Sequence, residues 1–210
     1  MKTSGQPSHQ TGFGRGQIYA RHPDLRKSEP TRPLLDLRHE LMVMDSHLPI
    51  VKTTRWQSPA QTQAFAQQWA AALQRQSELA NVLVTLHGDL GAGKTTLVRY
   101  LLQALGVQGR IKSPTYALVE SYTLDRPALS IWHFDFYRFN DPNEWEEAGL
   151  REMVASSGLK LVEWPEKAGG RLPQPDLALH LELQADESRA VTLTAHTVQG
   201  AALLQEMQPW

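Results

Sequence analysis

The sequence predicts an α/β protein in which a mixed sheet of parallel and antiparallel strands is flanked by helices. Three observations carry that expectation. From about residue 51 onward, short β-rich runs alternate with stretches of helical apolar period. The string Gly88-Asp89-Leu90-Gly91-Ala92-Gly93-Lys94-Thr95 falls between one such run (82–86) and one such stretch. Two further apolar runs each end in an acid, 129–134 in Asp135 and 159–162 in Glu163.

The glycine-rich string has the spacing G-x-x-x-x-G-K-T. Its glycines let the backbone curl until successive N–H groups converge on phosphate oxygens. The helix that follows adds the positive end of its dipole. Lys94 brings an ammonium to the β- and γ-phosphates, and the Thr95 hydroxyl is placed to ligate Mg²⁺. A strand before the string and a helix after it supply the context this motif requires. The expected architecture is therefore a three-layer fold like that of the P-loop NTPases, with a nucleotide phosphate site at its centre.

The composition narrows the rest. The chain has 210 residues, a net charge of −1, 41% hydrophobic residues and no cysteine, so disulfides, thiolate metal sites and a cysteine nucleophile are excluded. No apolar run approaches the roughly 18 residues of a membrane span, and the first residues lack a secretory apolar segment. A cytoplasmic protein with no membrane partner, monomeric when free, is expected. Residues 1–44 hold seven Lys/Arg against four acids, leaving 14 against 18 for residues 45–210. An acidic core is a poor surface for nucleic acid, whose affinity depends on neutralised phosphates, so any RNA in this protein's biology should be held by a partner.

Residues 1–50 contain four glycines and five prolines with no sustained period. They are expected to be a disordered or misassigned extension (Met42 or Met44 being alternative starts), with a basic arm for RNA or a partner as the other reading. The globular domain is expected over residues 51–210. It opens with a strand at 51–56. Ser58 caps a helix with Pro59 in its first turn, and Thr62, Phe65, Ala66, Trp69, Ala72 and Leu73 recur on its inner face. After the phosphate loop, Leu97, Val98, Leu101, Leu102 and Leu105 share one side of a helix that Gly106 ends. Strands follow at 116–122 and 129–135, separated by the turn-like 125–127. A short acidic helix starts at 141–143, and a buried-type strand at 159–164 stops at Pro165. A loop at 169–175 leads to strands at 177–183 and 190–195, and a closing helix covers about 200–207.

Hydrolysis or transfer also needs a carboxylate on the metal side and a group that orients the attacking oxygen. Asp135 and Glu163 are the candidates, because such groups stand at the carboxyl ends of strands beside the loop; the sequence does not order their roles. Thr115, held by Pro114, is either a sensor of the γ-phosphate or a local turn residue. As the last residue of its strand, Trp164 is expected to pack behind the carboxylate or to lie exposed near a partner surface. His133 reads as a strand-packing residue. The acidic 141–152 segment is a solvated face or a surface for a basic partner.

Four strings, HGDLGAGKTTLVR (87–99), KSPTYALVESY (112–122), HFDFYRF (133–139) and LVEWPEK (161–167), resemble the bacterial TsaE proteins. The resemblance covers about residues 56–200. It implies a small ATPase, slow alone and activated by partners, required for threonylcarbamoyladenosine formation on tRNA. The family's partners are TsaB and TsaD, and TsaD performs the transfer. By this resemblance Leu90, Gly91, Ala92, Gly93, Lys94, Thr95 and Thr96 hold the ATP phosphates, with Thr95 and Glu163 on Mg²⁺. It also implies that Asp135 is a catalytic or metal-shell carboxylate, that Thr115 belongs to a switch-like segment and that Thr62 contacts the base side.

Two other functions fit a phosphate loop. A small-molecule kinase would close an arginine-bearing lid, whereas Arg110, Arg126, Arg138, Arg151 and Arg171 are dispersed along the chain. A nucleotide-gated binding module would use ATP to order the 112–122 segment, hydrolysis being incidental.

Overall fold

The runs that are apolar on both faces become the centre of the sheet, as burial between two helical layers demands. A computed structural model describes residues 49–125, 128–141 and 144–207, with the backbone alone at 146 and 147. Among them are the strands β1 (Ile50–Trp56), β2 (Leu83–His87), β3 (Val119–Asp125), β4 (Ala128–Asp135), β5 (Leu159–Glu163), β6 (Leu177–Leu183) and β7 (Arg189–Ala195). They form one sheet in the order β1-β7-β6-β2-β5-β4-β3. The inner pairs β6/β2, β2/β5 and β5/β4 are parallel, and β1/β7, β7/β6 and β4/β3 are antiparallel. The expected mixed sheet is thus observed.

The helices are α1 (Pro59–Arg75), α2 (Lys94–Leu105), α3 (Glu144–Glu147), α4 (Leu150–Ala155) and α5 (Val198–Glu206). Alternation along each strand divides the core between the two faces. Val84, Leu86, Ile131 and Leu161 join Phe65, Trp69, Leu97, Leu101 and Leu203 under α1, α2 and α5. Leu83, Phe134 and Val162 join Phe136, Trp145, Leu150 and Val154 under α3 and α4. Helices on both faces make the three layers.

Several local expectations are corrected. The third strand begins at Val119 and not at 116. Residues 115–117 form a turn closed by the Leu118 N–H donating to the Pro114 carbonyl at 2.7 Å, with Leu118 at φ +65°. The fifth strand stops at Glu163, because Trp164 is left-handed at φ +58° and leads into a 3-10 turn, Pro165–Ala168. The acidic segment is two short helices and not one; they bury Trp145 and Leu150 and leave Glu152 exposed. The Ser58 side chain makes no cap bond; its carbonyl accepts from Gln61 N at 3.1 Å. The extension expected over residues 1–50 lies, up to residue 48, outside the described residues.

Candidate nucleotide site

The loop between β2 and α2 takes its shape from positive-φ glycines. Gly88 stands at φ +129°, and a Cβ there would meet the Leu181 carbonyl oxygen at 2.1 Å, so the loop can leave β2 only with glycine at this place. Gly93, at φ +109°, sets the first turn of α2. Lys94 then curls back over the loop. Its Nζ donates to the Gly88 carbonyl at 2.5 Å and the Asp89 carbonyl at 3.0 Å, and lies 3.8 Å from the centre of the Trp164 ring. Burial pushes the Lys94 pKa down, opposed by Glu163, Glu166, Asp135 and Asp89 in decreasing order. A cation held in this way gains from a bound polyanion.

The sheet brings both acids to the same edge. Asp135 and Glu163 are register partners across the parallel β4/β5 pair, so their side chains leave the same face. Each is almost fully buried, at 3% and 2% exposure. Glu163 Oε2 accepts from the Thr95 hydroxyl at 2.8 Å, and Glu163 Oε1 lies 2.8 Å from His133 Nε2. Asp135 Oδ2 accepts from Thr115 at 2.5 Å and from Ser113, the two hydroxyls lying 2.7 Å apart, while Oδ1 accepts from Tyr137 N at 3.0 Å.

A cleft of about 240 Å³ opens between these groups, lined by Leu90, Gly91, Gly93, Lys94, Thr95, Thr96, Ser113, Thr115, Asp135, Tyr137, Glu163 and Trp164. Nine of the residues read from the sequence therefore meet at one place. The remaining two do not line this cleft. Ala92 and Thr62 line a narrower crevice with Trp56, Pro59, Leu181 and Arg189, and this crevice shares Gly93 and Thr96 with the cleft. That adjacency places Thr62 beyond the phosphate loop on the side of α1.

A divalent cation can be tested against the donors present. Among the described residues no group of three or more His, Asp or Glu has the arrangement of a protein-only metal site. Among the groups lining the cleft, the Thr95 hydroxyl and the Glu163 Oε2 carboxylate oxygen lie 2.8 Å apart, both hard donors. Mg²⁺ retains several waters and takes few protein ligands beside phosphate oxygens, so this pair fits it.

Sequence reasoning missed Ser113, Tyr137 and the polar role of His133, which is fully buried yet bonded to Glu163. Ser113 carried a usable signal, two residues before Thr115 in a segment already singled out. Trp164 does not pack behind the carboxylate, because its left-handed backbone turns the ring over Lys94 and against Tyr137, 5.0 Å away.

Parallel central strands, a glycine loop running into α2 and acids at the strand ends define the P-loop class of α/β proteins. The family model described as "Threonylcarbamoyl adenosine biosynthesis protein TsaE" matches residues 56–191, and the chain belongs to the TsaE family. It is 41% identical over 140 residues to the tRNA threonylcarbamoyladenosine biosynthesis protein TsaE of Haemophilus influenzae, covering 67% of this chain and 87% of that one. The Bacillus subtilis TsaE is 35% identical over 147 residues, with coverages of 69% and 87%. The crystal structure of Bacillus subtilis YdiB superposes with a TM-score of 0.57 at 28% identity, covering 77% of this chain and 96% of that one.

Proposed function

We propose that this chain is a Mg²⁺-dependent ATPase serving threonylcarbamoyladenosine formation on tRNA, acting in the cytoplasm on a TsaB–TsaD partner complex and not on tRNA directly. The observation that carries this reading is the convergence of Lys94, Thr95, Asp135 and Glu163 on one cleft at the mouth of α2. A loop that only bound phosphate would not need two buried acids facing it.

The residues divide the work. The loop amides and Lys94 bind the β- and γ-phosphates, Lys94 exchanging its two carbonyl partners for charged oxygens. Thr95 and Glu163 would hold Mg²⁺, which when bound neutralises charge on the phosphate oxygens. Asp135, with Thr115 and Ser113 on its Oδ2, orients the attacking water and ties the 112–118 segment to the site. Thr62 in the adjoining crevice contacts the base side. The net-acidic stretch 45–210 supports leaving the tRNA to the partners.

The test is reconstitution of the tRNA modification with TsaB and TsaD, with and without this chain. Sustained multiple-turnover modification should require it, and Lys94→Ala should fail both to support that modification and to hold nucleotide. The expected loss of ATP affinity is at least about 100-fold, since charge-assisted hydrogen bonds contribute about 1.5–3 kcal/mol each. Unchanged ATP binding in Lys94→Ala would remove the site assignment. Transfer of the phosphoryl to a metabolite would make the protein a kinase.

A further inference from the structure

His133 occupies a place where packing alone would call for an aliphatic residue. It lies on β4 two residues before Asp135, so it faces α2 as Ile131 does, in a fully buried position. Its ring meets one polar group, Glu163 Oε1 at 2.8 Å on the neighbouring strand. Its other nitrogen, Nδ1, is buried with no partner. A carboxylate has no hydrogen to give, so Nε2 carries the proton and donates. Nδ1 is then a buried polar atom left unsatisfied, a cost that leucine or valine in the same space would not incur.

We infer that His133 is a positioning residue that locks the Glu163 carboxylate through Oε1 and thereby turns Oε2 toward Thr95 and the cleft. The inference rests on the reading of Glu163 as the Mg²⁺-side acid. The terminal torsion of glutamate is broad, so nothing intrinsic to the side chain selects one oxygen for the cleft. Here the two oxygens have different tenants, His133 Nε2 on one and the Thr95 hydroxyl on the other. Thr95 comes from the first turn of α2 and His133 from the sheet, so helix and sheet together fix the plane of the carboxylate. Removal of the imidazole leaves Oε1, on a residue only 2% exposed, without its hydrogen-bond partner. Hydrogen-bond partners of metal ligands typically change metal affinity 10- to 100-fold when removed. His133 has no contact with the cleft itself and touches no lining residue but Glu163 through its polar atoms. Its effect therefore belongs to the cation and not to the phosphates.

The experiment titrates Mg²⁺ against the full-length chain with the non-hydrolysable β,γ-imido analogue of ATP, reading nucleotide affinity with and without the metal. His133→Leu should keep metal-free affinity within about twofold and raise the half-saturating Mg²⁺ concentration about 10- to 100-fold. His133→Gln, which can still present an N–H at comparable reach, should recover most of that shift. The shorter His133→Asn should not, and this contrast decides the matter if the leucine variant does not fold. In a Glu163→Gln background, His133→Leu should add less than twofold, because it acts through the missing charge. Equal losses with and without Mg²⁺, or an effect that adds in full to that of Glu163→Gln, would overturn the inference while leaving Glu163 in place. A Glu163→Gln chain with an unchanged Mg²⁺ requirement would instead remove the parent reading, and this inference with it.

Discussion

Two carboxylates stand side by side on the same rung of the sheet, and they are held in different ways. Glu163 is fixed by α2 through Thr95 and by β4 through His133, two elements anchored in the larger core cluster. Asp135 is fixed by Ser113 and Thr115, from the connection between α2 and β3, and by the backbone N–H of Tyr137 just beyond its own strand. One acid therefore has a rigid seat, and the other is a latch on a loop. A metal ligand needs fixed geometry, whereas a group that reports on a phosphate needs partners that can be released. Sequence alone left the two interchangeable; their neighbours differ, and that difference supports the proposed division of roles.

The contrast makes measurable demands. Glu163→Gln should lower Mg²⁺-dependent ATP turnover roughly 1,000-fold, about 4 kcal/mol of barrier, with metal-free nucleotide affinity almost unchanged. A Mg²⁺ titration of steady-state hydrolysis checks it, and an equal shift of the metal requirement in Asp135→Asn would break the distinction. Any comparison by pH must first account for His87, at the end of β2. Its ring stacks on His180 at 4.2 Å, and its pKa is lowered to about 4 by burial and then by His180, Lys94 and His196, with Glu166 3.8 Å away on the other side. The folded state therefore binds fewer protons than the unfolded state between pH 6.5 and about 4. Stability present above that window is lost as the pH falls through it, by about 2 kcal/mol between pH 7 and 4.5. Urea midpoints at the two pH values should converge in His87→Gln.

Asp135→Asn should slow turnover about tenfold, leave the Mg²⁺ midpoint within twofold and speed amide exchange across 112–118 by about tenfold. Uniform protection of that segment would show that the latch is not Asp135. The smallest effect belongs to Ser113→Ala, which removes one of two hydroxyls from the same oxygen. About 1 kcal/mol is expected, read as a less than tenfold change in exchange at 113–118.

Legibility in the sequence followed the range of the contacts. The phosphate loop was readable because its chemistry is written in eight consecutive residues. Asp135 and Glu163 were readable because a strand end is a local event. The bond from His133 to Glu163 was not, since it exists only once β4 lies parallel to β5 in the observed register. Nothing within thirty residues of chain announces that pairing. The strand expected at 116 failed for a related reason: alternation continues through Tyr116 to Leu118, but the carbonyl of Pro114 captures the Leu118 N–H and closes a turn first. Trp164 was misplaced because a positive φ at a non-glycine residue leaves no compositional trace. Helices α1 and α2, with apolar faces repeating over several turns, were read with their buried apolar residues correct, Ala70 apart.

Because His133, Asp135 and Glu163 all depend on one alignment of β4 with β5, the site has a parity. A single residue inserted or deleted within β4, upstream of position 133, would send the imidazole and the aspartate to the opposite side of the sheet, among Phe136, Trp145 and Leu150. Substitutions there can be graded, but length changes are all-or-none. Library designs aimed at this protein should hold the number of residues in β4 and β5 constant and place their length variation in the connections beyond.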